Sequence, residues 1–436
     1  MTSFDGRSVI EIRYVRHPEA PAGSPPLLAR AGDLVFVAGQ MAAHPIHGLP
    51  PEARLLPRMP WHGSSIQKQL SYLYANLEGW LKEVGSSLHH IMKINSYHTN
   101  PSDVDMALRV RRDWFGEDPP PSTLVFTPEL PVRGPTALID MINLATDAPF
   151  RREAVVTKAP AIAQVRAIGW AVYTQAMRGG GFVFTRGAVA HNPDGPLPET
   201  DPESDFPYRH HQVRFQAEYA LNRLKDLLAD AGCSFRDVVR AEVHLPDMND
   251  LAALDEVWEE CFPVDPPARV VVPLPLVIPD MRVEIEVIAV DPQGPYRKEV
   301  VATDAAPAPL SPESQAVKAG PYLFLSGQMA TDYKDGVPAE ARPHPGFPHH
   351  ASPIKRQVEY IYRNVEAICG AAGTSPEYLV KRRVHHVNLN EMPLAEEVWR
   401  KRLGDRLPPT STFRVNDTLP VPECRVQYDL IATVPG

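Results

Sequence analysis

Apolar positions fall into one succession of patterns three times along the chain. In the middle stretch, residues 211–231 carry Phe215, Tyr219, Leu221, Leu224, Leu227 and Leu228 at helical spacing, and Gly232 follows as a stop. Before them, Val165 to Gln175 and Phe182 to Ala188 read as two strands around Arg178-Gly179-Gly180-Gly181, which predicts a hairpin. A loop rich in Pro, Asp and Gly separates the hairpin from the helix, over residues 192–207. Val238 to Leu245 reads as a strand. A second amphipathic helix is expected from about Asp247 to Phe262, with Leu251, Leu254, Val257 and Trp258 on one side and Asp247 or Asn249 as its cap. Val270 to Pro273 and Val283 to Val290 close the unit. The order β-β-α-β-α-β-β predicts an α+β domain, a sheet with two helices on one face.

The stretches before and after follow the same order. Gly39, Gly187 and Gly327 each end an apolar, β-rich run. Gln-x-x-Tyr then recurs on a helical pattern at Gln69/Tyr72, Gln216/Tyr219 and Gln357/Tyr360, with the glutamines 147 and 141 residues apart. Gly85, Gly232 and Gly373 keep that spacing. A solenoid unit has a period of about 20–50 residues, so the repeat is a whole domain. The expected domains are residues 1–150, 151–296 and 297–436. The linkers between them are short and Pro-rich, which favours a closed ring, an intramolecular pseudo-trimer, over beads on a string.

Composition narrows the function. With 44% hydrophobic and 22% charged residues in 436, the chain reads as globular. No apolar run reaches the roughly 18 residues of a membrane span. The first residues, MTSFDGRSVIEIRYVRH, lack a basic-then-apolar signal pattern. Cys233, Cys261, Cys369 and Cys424 form no C-x-x-C pair, so neither a zinc site nor a disulfide framework is expected, and the expected location is the cytoplasm. A formal net charge of −9 argues against nucleic acid as the main ligand.

The ordered words in this sequence resemble the Rid (YjgF) family of enamine/imine deaminases, whose fold is of the chorismate-mutase-like type. They are Ser326-Gly327-Gln328 after a strand, the Gln-x-x-Tyr helix, Val238 to Leu251 (VVRAEVHLPDMNDL), and Pro267-Ala268-Arg269 followed by Glu284 in VEIEVIAV. The resemblance implies trimers with active sites in the clefts between subunits. It implies that Arg269 grips a substrate carboxylate, that Glu284 positions the attacking water, and that Tyr173 and the backbone at Gly187 line the pocket. The other copies depart from this pattern. Ser122 and Ser411 stand where the second copy has Arg269, so the arginine clamp reads as lost there. Asp140 and Gln427 replace Glu284, and about Pro25 and Glu313 replace Tyr173. The third copy keeps Ser326 and Gly327, which are expected to line its pocket.

A guanidinium is a planar, permanently charged carboxylate clamp. With a group that positions water, it suffices to hydrolyse a protonated C=N bond, so no cofactor or metal is required. The alternative for Arg269 and Glu284 is a structural ion pair. Arg186 replaces the serine expected before Gly187. It either holds a second acidic group of the substrate or is a solvated or interface-paired arginine. His62 and His350, on aligned loops before the first helix of their copies, are candidates for lining the other clefts. His98, His244, His385 and His386 are further candidates, or surface and interface residues. The expected function is cofactor-independent hydrolytic deamination of a small imine, enamine or amino-substituted acid in an inter-domain cleft. The alternatives are a specialised hydrolase of another small molecule and a non-catalytic small-molecule scaffold. Whether chains pair further is open.

Overall fold

The structure, a computed structural model, describes residues 10–116, 119–157, 174–192, 195–196 and 212–435. The first domain contains β1 (Ile12–Val15), β2 (Leu28–Ala31), β3 (Leu34–Gln40), α1 (Ser65–Glu83), β4 (Ile91–His98), α2 (Val104–Phe115), β5 (Ser122–Phe126) and β6 (Ala137–Leu144). The second has β7 (Glu153–Ala154), β8 (Ala176–Gly179), β9 (Phe182–Thr185), a two-stranded pair β10 (His191–Asn192) and β11 (Gly195–Pro196), then α3 (Gln212–Asp230), β12 (Val238–His244), α4 (Leu251–Cys261), β13 (Ala268–Val272) and β14 (Glu284–Val290). The third has β15 (Lys298–Val301), β16 (Ala316–Ala319), β17 (Tyr322–Leu325), α5 (Pro353–Ala371), β18 (Leu379–His386), α6 (Met392–Leu403), β19 (Thr410–Arg414) and β20 (Val426–Thr433). All three are α+β, as expected.

Each domain forms one six-stranded sheet in the same order: β1-β2-β3-β6-β4-β5, β7-β8-β9-β14-β12-β13 and β15-β16-β17-β20-β18-β19. The outermost strands β1, β7 and β15 were not expected. They have two to four residues with little apolar pattern, such as the partly exposed Glu153-Ala154. In the second domain the described hairpin is formed by β8 and β9, and residues 174 and 175 just before it are not in a strand. Gly179 pairs with Phe182, which leaves Gly180 and Gly181 as a two-residue loop. Both have positive φ, +62° and +81°, the geometry that a tight hairpin needs and glycine adopts without strain. Residues 165–173 lie outside the described residues.

The helices cover one face of each sheet. In α1 the buried Ile66, Leu70, Leu73, Leu77 and Leu81 recur every three or four positions, so one stripe meets the sheet. The glutamines of the Gln-x-x-Tyr words are buried and structural. Gln216 Nε2 donates to the Asp280 carbonyl at 3.0 Å, and its Oε1 accepts from the Arg282 amide at 2.7 Å. Gln357 brackets Glu423 and Arg425 in the same way, and Gln69 brackets Gly134 and Thr136. Each side-chain amide therefore fixes the loop that leads into the last strand.

The opposite sheet faces meet one another. Ala31 and Phe36, Phe182 and Phe184, and Tyr322 and Phe324 belong to one core drawn from all three domains. The Tyr322 hydroxyl donates to the Ala31 carbonyl at 2.8 Å. The contacts run in a cycle. The Ser122 carbonyl of β5 accepts from Gly187, the Arg269 carbonyl of β13 accepts from Gly327, and Ser411 of β19 donates to Asp140 beside Gly39.

Candidate active site

Each of these three junctions is built from the parallel edge strand of one domain and the glycine turn of the next. At Gly187 and Gly327 the glycine is required by its own domain's last strand, and at Gly39 by β19 of the third domain, whose Thr410 carbonyl oxygen an added Cβ would strike. A Cβ on Gly187 would strike the Glu284 carboxylate, and one on Gly327 would lie 2.6 Å from the Gln427 amide nitrogen. In the first domain the Gly39 amide donates to Asp140 Oδ1 at 2.9 Å. Gly187 therefore belongs to the junction of the first and second domains, together with Glu284, Arg186 and Ser122. Ser326 and Gly327 belong to the junction of the second and third, together with Arg269.

Arg269 and Glu284 thus do not form one site. Alternate residues of a strand point to opposite sheet faces. Val271, two residues beyond Arg269, lies in the helix-side core of the second domain, and Arg269 lies over Trp258 of α4 at 5.0 Å. Val283 and Ile285 lie in that same core, so Glu284 between them faces the other way. Two strands of one sheet carry the pair on opposite faces, into different junctions.

The Arg269 side chain is fully buried and already neutralised. Its Nη2 lies 2.7 Å from Asp255 and its Nε 3.1 Å from Glu313 of the third domain. Burial raises the Glu313 carboxyl to about 7, more than Arg269 lowers it. Ser326 is spent as well: its hydroxyl accepts from the Arg269 amide at 2.8 Å and donates to the Ser314 carbonyl at 2.6 Å. A cavity of about 20 Å³, the size of one water, remains beside Glu313, Ser326 and Gly327.

Glu284 stands at the edge of a charged centre shared by the three sheets. Arg383 and Arg240 both bind Glu242 and Asp429, and Lys93 lies 2.8 Å from Glu286. Burial would raise Glu242, yet Arg383 and Arg240 outweigh it and hold this carboxyl well below the usual range. This centre holds four of the buried cations, Lys93, Arg240, Lys381 and Arg383, and five of the buried carboxyl groups, Asp140, Glu242, Glu284, Glu286 and Asp429. Among the described residues Asp140, Glu242, Glu286 and Asp429 each have an ion pair, and Glu284 is the unmatched one. Burial first, then the Glu286 charge, raises it to about 8 against the pull of Lys93 and Arg186. Arg186 donates from Nη1 to the Gly187 carbonyl at 2.6 Å and from Nε to Gln175, so it is pinned at the strand end.

Two further buried arginines escaped sequence comparison. Arg111 of α2 occupies the place of Trp258 and Trp399 in the other domains, 147 and 288 residues away. Its Nη1 donates to Ser122 at 2.6 Å and its Nη2 to Ser96. Arg382 of β18 lies over Trp399 at 5.0 Å and donates to Glu396 at 2.6 Å and to Thr410 at 3.1 Å. Ser122 and Ser411 stand at the strand position of Arg269, and the first and third domains each bury a guanidinium near the same strand edge from another position, Arg111 and Arg382. The repeat spacing itself held the signal, since it aligns Arg111 with two tryptophans.

The histidines divide. His62 and His350 are exposed on loops and touch neither Glu284 nor Arg269. His98, His244, His385 and His386 are fully buried and so are not surface residues. Burial lowers His98 and His386 to about 3, with Arg111 and Arg382 adding to the effect, so both are neutral. His385 Nδ1 lies 2.9 Å from Gln427 Oε1. Tyr173 lies outside the described residues. Among the described residues no three His, Cys, Asp or Glu side chains are placed to hold a metal, and no helix is long and apolar enough to cross a membrane.

Parts of the chain are similar to known proteins. A RutC family protein of Pyrococcus abyssi is 33% identical over 118 residues, 27% of this chain and 84% of its own. The 2-iminobutanoate/2-iminopropanoate deaminase of Mus musculus is 41% identical over 83 residues, 19% of this chain and 60% of its own. The solved structure of a Rid family protein from Yersinia pestis, 26% identical, covers 32% of this chain and 100% of its own, with a TM-score of 0.26. The family model described as Endoribonuclease L-PSP matches residues 24–146, 164–291 and 303–434, and by that triple match the chain belongs to this family.

Proposed function

We propose that the chain is a cofactor-independent hydrolytic deaminase of a small 2-imino or enamine acid. Its site is the junction of the first and second domains, and Glu284 is its acid. The observation that carries this reading is the buried Glu284 carboxyl, the one unmatched acid of the charged centre, which keeps its proton to about pH 8. A general acid works best with a pKa near the working pH. The names of relatives such as the mouse deaminase support the reaction class.

The chemistry follows from that proton. Glu284 gives it to the imine nitrogen, which makes the carbon electrophilic. The carboxylate left behind takes a proton from the attacking water as the C–O bond forms. Glu284, protonated again, then gives its proton to the amino nitrogen and takes the hydroxyl proton as C=O forms, so the amino-alcohol collapses to a 2-oxo acid and ammonia leaves with the C–N bonding pair. Arg186 places positive charge near Glu284 and favours its transient ionised form. The other two junctions serve as structure, because their guanidiniums are bound to Asp255 and Glu313, and to Glu396.

The test is ammonia release from 2-iminobutanoate generated in situ, for the wild type and for Glu284→Gln, which keeps the shape but cannot transfer the proton. Turnover is expected to fall by at least about 100-fold in the variant. In the wild type it is expected to fall as pH rises through about 8, where Glu284 loses its proton. Equal rates for both proteins would refute the assignment.

A further inference from the structure

All three domains keep a guanidinium buried between the helix layer and the parallel edge of the sheet, yet they neutralise it differently. Arg269 has Asp255 and Glu313, and Arg382 has Glu396. Asp255 and Glu396 are equivalent positions on α4 and α6, and the equivalent on α2 is Leu108. Arg111 accordingly has no carboxylate partner among the described residues, although it is only 1% exposed. A buried charge left uncompensated is costly, and native proteins pair such charges.

What surrounds Arg111 is a set of donors. The Ser96 and Ser122 hydroxyls accept from its two terminal nitrogens, and each retains its own O–H to donate. Arg111 Nε is buried without a hydrogen-bond partner. His98 shares the sheet face of Ser96, two residues along β4, and neither of its ring nitrogens has a partner. A neutral imidazole always carries one N–H. The Tyr74 hydroxyl lies beside the same guanidinium. A cation ringed by unused donors, with no acid built in, is the complement of an anion.

We infer that Arg111, with Ser96, Ser122 and His98, binds the carboxylate of the substrate at the junction of the first and second domains, replacing from a helix the arginine that the second domain carries on a strand. The identification of this anion as the substrate's carboxylate rests on the reading of that junction as the reaction site. The two are in one line of contact. Ser122, held by Arg111, accepts the Gly187 amide at 3.3 Å, and Gly187 lies against the Glu284 carboxyl. A planar carboxylate suits a guanidinium edge flanked by hydroxyl donors. The junctions at Arg269 and Arg382 carry their own carboxylates and leave this anion no place.

The test uses the whole chain and 2-oxobutanoate, the product-like acid, as probe. Its binding is read by calorimetry for the wild type, Arg111→Met and the double variant Arg111→Trp/Ser122→Arg. The double variant rebuilds the arginine–tryptophan arrangement of Arg269 and Trp258 and so guards against loss by misfolding. Arg111→Met is expected to weaken binding by about 100-fold, the scale of removing one charged partner. The double variant is expected to regain most of it. Unchanged affinity in Arg111→Met, or no saturable binding by the wild type, overturns the inference. Turnover separates the two readings. If imines are hydrolysed while Arg111→Met leaves affinity and KM unchanged, only this inference falls. If no imine is turned over while Arg111→Met abolishes binding, the anion site stands and the deaminase reading falls.

Discussion

Glu284 and Arg269 are fifteen positions apart in sequence and belong to one familiar set of words, which made them read as a pair. Their separation depends on strand parity. The neighbours that reveal it, Val271 beside Arg269 and Val283 and Ile285 beside Glu284, are visible in the sequence, but the face each strand turns to the helices is not. The proton on Glu284 is not legible in the sequence, because it follows from burial first and then from charges on neighbouring strands of more than one domain. It has a consequence for stability. The folded chain keeps this proton to about pH 8, against the ordinary value of 4.5 when unfolded. Between those values the folded state binds a proton that the unfolded state has released, so this group makes stability fall as pH rises, and its effect levels off above about 8. Glu284→Gln should remove that slope and stabilise the chain by up to about 3 kcal/mol at pH 7. Denaturant unfolding from pH 5 to 9 checks this, and a variant with the wild-type slope would contradict it.

Among the elements, what periodicity described was found nearly where expected. α3 and β12 differ from the sequence reading by a residue or so, because long apolar stripes and flanking glycines mark them. The short edge strands were missed because two to four residues carry no period. The Gln of the Gln-x-x-Tyr word has a specific structural purpose: its buried amide pins both backbone groups of the loop before the last strand. Gln216→Ala leaves the Asp280 carbonyl and the Arg282 amide without that partner, and it is expected to cost about 1–3 kcal/mol. Lys225, exposed on the same helix, offers a control position. Equal unfolding midpoints for Gln216→Ala and Lys225→Ala would contradict the bracket.

At the scale of the whole molecule, the repeat announced three domains, but not how far they depend on one another. Glu242 of the second domain is neutralised by Arg383 of the third, and Asp429 of the third by Arg240 of the second. The aromatic core is likewise drawn from all three. Calorimetry should therefore show one unfolding transition for the chain. Arg383→Met should lower that transition as a whole, by about 3–5 kcal/mol, since it strands buried carboxylates in two domains. Three independent transitions, or a loss confined to one of them, would contradict the shared centre.

Triplication let the three junctions diverge. Two hold their guanidinium with built-in acids, and one leaves its donors open beside a protonated Glu284. The measurement that separates these junctions most directly is 2-iminobutanoate turnover by Glu284→Gln and Arg269→Met side by side, each checked to be folded at the assay temperature by a cooperative unfolding transition above it. Turnover lost in Glu284→Gln and retained in Arg269→Met is the expected result. Turnover lost in Arg269→Met and retained in Glu284→Gln would place the chemistry at the junction of the second and third domains and contradict the site described here.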